Sequence, residues 1–91
     1  MSAKPLFEIG RLVMTQGVAA LDLDMSTLLE LVHRHAAGDF GTICDEDRFA
    51  NIAAVENGLR VIAAYQLGQT KLWIITEADR SSTTILLPED Y

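Results

Sequence analysis

The run Lys71-Leu72-Trp73-Ile74-Ile75-Thr76-Glu77-Ala78-Asp79-Arg80-Ser81-Ser82-Thr83-Thr84-Ile85-Leu86-Leu87 decides the fold. Leu72–Thr76 and Thr83–Leu87 are rich in β-branched and aromatic residues, and a short polar connector separates them, so they read as two strands. Upstream, Leu59, Val61, Ala63, Tyr65 and Leu67 alternate with Arg60, Ile62, Ala64 and Gln66, the period of a strand with two distinct faces. Gly68-Gln69-Thr70 turns that strand back on Leu72–Thr76 as an antiparallel partner, and Pro88 ends the last strand because it cannot donate to a ladder. The C-terminal third is therefore a three-stranded antiparallel meander.

Working toward the N-terminus, the pattern changes from period 2 to period 3.6. The third helix begins near Cys44 or Asp45 and ends at Asn57-Gly58, a strong stop signal. Asp45, Glu46 and Asp47 complement the positive end of its dipole, and Phe49, Ile52, Ala53 and Val55 are expected to face inward. Asp39-Phe40-Gly41 is a loop whose aromatic plugs the core edge. Before it, Thr27 and Glu30 have capping-box spacing and open a helix that runs to about Ala37, closed by Gly38. Asp22-Leu23-Asp24 is a break. Thr15 caps a short helical turn over Gln16–Leu21, and Phe7 to Met14 reads as a first strand with Ile9, Leu12 and Val13 buried.

The resulting order is β-α-α-α-β-β-β, an α+β fold in one domain spanning residues 1–91, with the helices on one face of the meander and the Phe49–Ile52 segment covering it. The last strand has few charges to blunt its edge apart from Glu89 and Asp90, so that edge is expected to invite pairing into a homodimer.

Hydrophobic residues make up 49% of the 91 and the net charge is −6, the balance of a folded rather than a disordered chain. The acids cluster, with Asp39, Asp45, Glu46, Asp47 and Glu56 set against Arg48 alone in residues 39–57. Direct nucleic-acid binding needs clustered Lys and Arg, which argues against it here. An acidic surface can meet a basic partner, or can simply keep a small protein soluble. The single cysteine excludes an internal disulfide framework and fits a reducing compartment. Met1-Ser2-Ala3-Lys4-Pro5 lacks the apolar core of a signal peptide, and no apolar run approaches a membrane span. The expected setting is the cytoplasm.

No cofactor or metal site emerges from the pattern. His33 and His35 lie two apart on a helix and cannot share a metal on one face; near the helix C-terminus a histidinium is favoured by the dipole. Cys44 is followed by three acids that oppose a thiolate, so it reads as an apolar plug or a helix-entry residue. The acidic run lacks the alternation, central glycine and closing glutamate of a calcium loop. Glu77, Asp79 and Arg80 remain, three charges between two strands that a hairpin turn does not need. They read either as a binding site, with Arg80 a bidentate donor to an acid or phosphate, or as a loop in which Arg80 pairs with Glu77, Asp79 or the Asp45–Asp47 carboxylates. No nucleophile–base pair accompanies them, since histidine is absent from that part of the sequence, and no catalytic residue is assigned.

Gly38-Asp39-Phe40-Gly41, Glu46-Asp47-Arg48 with Asn51 and Asn57-Gly58, then Tyr65, then Trp73 to Ser81 and Thr83 to Pro88 with Tyr91, together resemble a family of small uncharacterised proteins carried on plasmids and integrated mobile elements of Gram-negative bacteria. Some of its members bear labels such as "plasmid-related protein" or the name of a restriction-system subunit. Arg11 to Leu21 resembles the opening of a second plasmid-borne family. The resemblance implies a place on a mobile element and supplies no active site. The functional expectation is a non-enzymatic accessory protein of a mobile element that binds another protein, for example as an acidic inhibitor of a host defence or of a basic nucleic-acid-binding protein, through Asp45, Glu46 and Asp47 and through Glu77, Asp79 and Arg80. The alternative is a small ligand-binding domain or enzyme built on the Glu77–Arg80 loop.

Overall fold

The computed structural model describes residues 5–91; the reading of Met1–Lys4 as free of an apolar leader lies outside the described residues. The elements are β1 (Arg11–Met14), α1 (Gln16–Ala20), α2 (Met25–Ala36), α3 (Asp45–Asn57), β2 (Val61–Leu67), β3 (Thr70–Thr76), β4 (Ser82–Leu86) and a 3-10 turn over Pro88–Asp90. The order β-α-α-α-β-β-β and the α+β class are those read from the sequence.

The meander is present, with β2 antiparallel to β3 and β3 antiparallel to β4. The sheet is nevertheless mixed and four-stranded, in the order β1-β4-β3-β2, because β1 adds in parallel to β4. The edge expected on the last strand is therefore filled. The outer strands are β1 and β2, and the argument for a homodimer through the last strand lapses.

One face of the sheet buries Val61, Ala63, Tyr65, Leu72, Ile74 and Ile85 against Val18 of α1, Leu28, Leu31 and Val32 of α2, Phe40 of the loop before α3, and Ala54 of α3 itself. Phe40 fills the core edge as expected. The opposite face carries a cross-strand row of Val13, Thr84, Ile75 and Ile62, and Tyr91 lies edge-on to Trp73, with ring centroids 5.5 Å apart.

Several local expectations change. The first strand is shorter than Phe7–Met14, because Gly10 adopts φ +61 where the Arg80 and Ser81 carbonyls leave no room for a Cβ, and Val13, expected inside, is exposed on the face away from the core. Ahead of that bend, Leu6 donates its N–H to the Ala36 carbonyl at 2.7 Å, so this segment straps the end of α2 instead of joining the sheet. Thr15 does cap α1, through the Val18 N–H. In α2 the cap is Asp24, whose carboxylate accepts from the Ser26 N–H and hydroxyl; helix begins before the Thr27–Glu30 pair. The earlier start lets Leu28, Leu31, Val32 and His35 line one buried stripe.

The largest difference lies in α3. Its limits and its left-handed Gly58 stop are as read, but its inward residues are Asn51 and Ala54, while Phe49 is 68% and Ile52 48% exposed. Ala53 is exposed too, and Val55 is only half-buried. Asn51 is the cause. Its amide donates to the Ile62 carbonyl at 2.6 Å and accepts the Ile62 N–H at 3.1 Å, supplying both bonds that a neighbouring strand would have made. Beside it, Ala64 donates to the Phe40 carbonyl and accepts from the Thr42 N–H. The β2 edge is thus closed by α3 and the loop before it.

Candidate functional site

The connector after β3 is tied into the fold by Arg80. Its own backbone sits at φ +61, a conformation that costs a non-glycine residue about 1 kcal/mol or more. Arg80 and Glu77 close the turn through N–H to carbonyl at 2.9 Å. The Arg80 guanidinium donates to the backbone carbonyls of Leu59 at 2.6 Å, Ala54 at 3.0 Å and Glu77 at 3.1 Å. The Ala54 carbonyl belongs to the last turn of α3, so the cation also meets the negative end of that helix. The guanidinium carbon lies 5.3 Å from the centre of the Phe7 ring. The carboxylate partner expected for Arg80 is absent among the described residues; carbonyls take its place, because Gly58 and Leu59 turn away from α3 and leave those oxygens converging on one point.

Glu77 instead pairs with Arg60, Oε1 to Nη2 at 3.2 Å, and Arg60 also donates to the Tyr91 hydroxyl. Asp79 is exposed and accepts the Ser81 N–H at 3.0 Å; its bonds to Ser81, side chain then backbone, hold its carboxyl below the usual carboxylate range. The Glu77–Asp79–Arg80 set is together in space, and each member has a partner inside the fold.

Asp45, Glu46 and Asp47 are exposed on the first turn of α3, with only a long Asp45–Arg48 contact of 3.8 Å among them. Asp45, Phe49, Ile52 and Glu56 follow one another at spacings of four, three and four, which places them on a single helical stripe. The stripe is an apolar pair bracketed by acids. Asp47 sits apart, near Ile43, Ala50, Asn51, Arg60 and Ile62 in a shallow hollow. Cys44 is the exposed N-cap residue of α3, which makes it a helix-entry residue and not a plug.

His35 was not legible as a site member. It is fully buried, and its Nε2 lies 2.9 Å from the Thr76 hydroxyl, 41 residues away in sequence, so the histidine missing from the Glu77 region arrives through the fold. Thr83 donates to the Ile9 carbonyl, Thr76 and Thr83 hydroxyls are 2.7 Å apart, and each hydroxyl has one proton. Thr76 must therefore donate to Thr83, and His35 Nε2 must donate to Thr76. That fixes the neutral Nε2–H tautomer and leaves Nδ1 a buried acceptor with no partner. Desolvation, helped by the positive charge of Arg80, lowers the His35 pKa to about 4. The histidinium favoured by the helix dipole is thus overruled by burial. His33, exposed on the other side of α2, makes no pair with it.

Among the described residues no group of three or more His, Cys, Asp or Glu side chains could hold a metal, and no helix is long and apolar enough to cross a membrane. No family model matches this chain, and neither a curated protein nor a solved structure does so.

Proposed function

We propose that this is a non-enzymatic accessory protein of a bacterial mobile element, acting in the cytoplasm by binding another protein through the outer stripe of α3. The observation that carries the reading is that Phe49 and Ile52 point to solvent beside Asp45, Glu46 and Glu56. An exposed phenyl ring flanked by an aliphatic group is the kind of anchor that dominates protein interfaces once a partner pocket covers it. The acids supply long-range attraction to a basic rim and suit the basic surface of a nucleic-acid-binding protein. The net charge of −6 strengthens encounter with such a partner and weakens that advantage as salt rises.

The alternative, a ligand-binding domain or enzyme on the Glu77–Arg80 loop, has less support. Three of the N–H groups of Arg80 are already committed to backbone carbonyls and the Glu77 carboxylate to Arg60. The reading is tested by capture from a lysate of the native host, comparing wild type with Phe49→Ser, Ile52→Ser and the charge reversal of Asp45 and Glu46 to lysine. Loss of one protein species with the apolar variants, and salt-sensitive loss with the charge reversal, is expected. Recovery of the same species by all of these folded variants sinks the α3 stripe as the contact, and a small-molecule thermal shift abolished by Glu77→Lys with Asp79→Lys would favour the alternative.

A further inference from the structure

The two edges of the sheet are treated differently. On β2 the outward peptide groups of Ile62 and Ala64 are occupied by Asn51, Phe40 and Thr42. On β1 the Arg11 N–H goes to the Ser81 carbonyl and the Thr15 N–H to the Ile85 carbonyl, both at 3.0 Å. Residues 11, 13 and 15 therefore turn their peptide groups toward β4, and strand alternation turns those of Leu12 and Met14 the other way. Among the described residues β4 is the sole strand neighbour of β1, and β1 is at least partly exposed along its whole length. Its one charge, Arg11, stands at its first residue, and it carries no proline, lysine or inward charge of the kind that blunts an edge.

We propose that β1 pairs antiparallel with β1 of a second copy of this chain, about a two-fold axis through Val13. The strand is self-complementary in that register. Leu12 of one copy and Met14 of the other exchange N–H and carbonyl groups, and the two-fold repeats the exchange on the far side of the axis. Val13 then faces Val13 of the second copy at the close, non-hydrogen-bonded position and extends the Val13-Thr84-Ile75-Ile62 row across the junction. The charges agree as well. Arg11, exposed and without an ion-pair partner among the described residues, comes opposite Thr15 of the second copy, whose hydroxyl donates to Asp90 at 2.7 Å. Arg11 thus approaches the Asp90 carboxylate of the other copy, twice per dimer. The sheet becomes continuous through both copies, and α3, on the far edge of each, stays outward at both ends. This pairing does not depend on the proposed role of α3.

Sedimentation velocity on the untagged chain, from about 5 to about 500 μM, spans the range expected of a small edge-strand interface. The mass should rise from 10.0 kDa toward twice that value with concentration. Val13→Asp, which sets two carboxylates face to face, should weaken association about tenfold or more. In a Cys44→Ser background with glutathione disulfide as oxidant, Val13→Cys should form a disulfide dimer far faster than Ile62→Cys, a position equally exposed at 36%. A monomer at every concentration overturns the proposal, as does a dimer that Val13→Asp leaves intact. If Val13→Asp proves unfolded by circular dichroism, the cross-linking comparison decides alone, and equal rates at positions 13 and 62 overturn it.

Discussion

Replacing Arg80 by alanine and by glycine separates two opposing contributions at one position. Truncation removes three hydrogen bonds to carbonyls, at 2.6, 3.0 and 3.1 Å, and the contact with Phe7. At about 1 kcal/mol net per bond, with about 0.5 kcal/mol for the cation over the ring, the loss is about 3–4 kcal/mol for alanine. Arg80 is only half-buried, which favours the lower end of that range. Glycine loses the same contacts but adopts φ +61 freely, recovering about 1 kcal/mol. The expected order is therefore wild type, then Arg80→Gly, then Arg80→Ala. Urea unfolding followed by Trp73 fluorescence measures it, provided the slope with denaturant is unchanged. A loss below about 1 kcal/mol in both variants refutes the clamp. An alanine variant as stable as the glycine variant refutes the backbone argument.

Three further outcomes follow from buried polar geometry. His35 has a folded pKa of about 4 against an ordinary 6.5, so between those values the unfolded chain binds the extra proton, and stability should rise with pH through that window by up to about 3 kcal/mol and level off above it. His35→Gln should flatten that segment of a urea-unfolding profile, and a slope unchanged by the substitution assigns the titration to another group. Asn51→Ala should cost about 2 kcal/mol, and Asn51→Asp at least as much because a carboxylate oxygen would face the Ile62 carbonyl; hydrogen exchange at Ile62 and the unfolding midpoint report both. Gly41→Ala would drive a methyl group into the Ala64 carbonyl and the Tyr65 ring at a residue with φ +77, lowering the melting temperature by about 15 °C; a change under about 3 °C contradicts the packing.

The parts of the fold that depend on neighbours in sequence were legible in it. The β2–β3 hairpin follows from alternation plus Gly68, and the ends of α3 from its acidic first turn and Gly58. What depends on distant partners was not. Arg11–Met14 has the pattern of a strand, but nothing in four residues says that it runs parallel to β4 and fills the edge beside it. The Glu77, Asp79 and Arg80 trio was legible as a cluster, while the roles were not, because carbonyl oxygens leave no mark in a sequence. His35 illustrates the same limit. A histidine near a helix end reads as dipole-favoured, and only the arrival of Thr76 and Thr83 makes it a buried neutral donor.

The inversion of α3 carries more weight than a misread face. Periodicity offers two stripes on this helix, and hydrophobicity alone selects the one with Phe49 and Ile52 for the core. Asn51 prevents that choice. Each residue step turns a helix by about 100°, so rolling α3 far enough to bury Phe49 would carry the Asn51 amide away from Ile62 and break both of its bonds. It would also leave the β2 edge open and withdraw the Ala54 carbonyl from Arg80. The small Ala54 and the polar Asn51 are what the sheet edge and the clamp require, and Phe49 and Ile52 are held outward as a consequence. Folding does not require a phenyl ring or a sec-butyl group at positions that the fold itself keeps 68% and 48% exposed. Serine at either position should leave Asn51, Ala54 and Arg80 their partners and cost little stability, the outcome that the proposed use of this stripe for binding, not folding, requires of an unfolding curve.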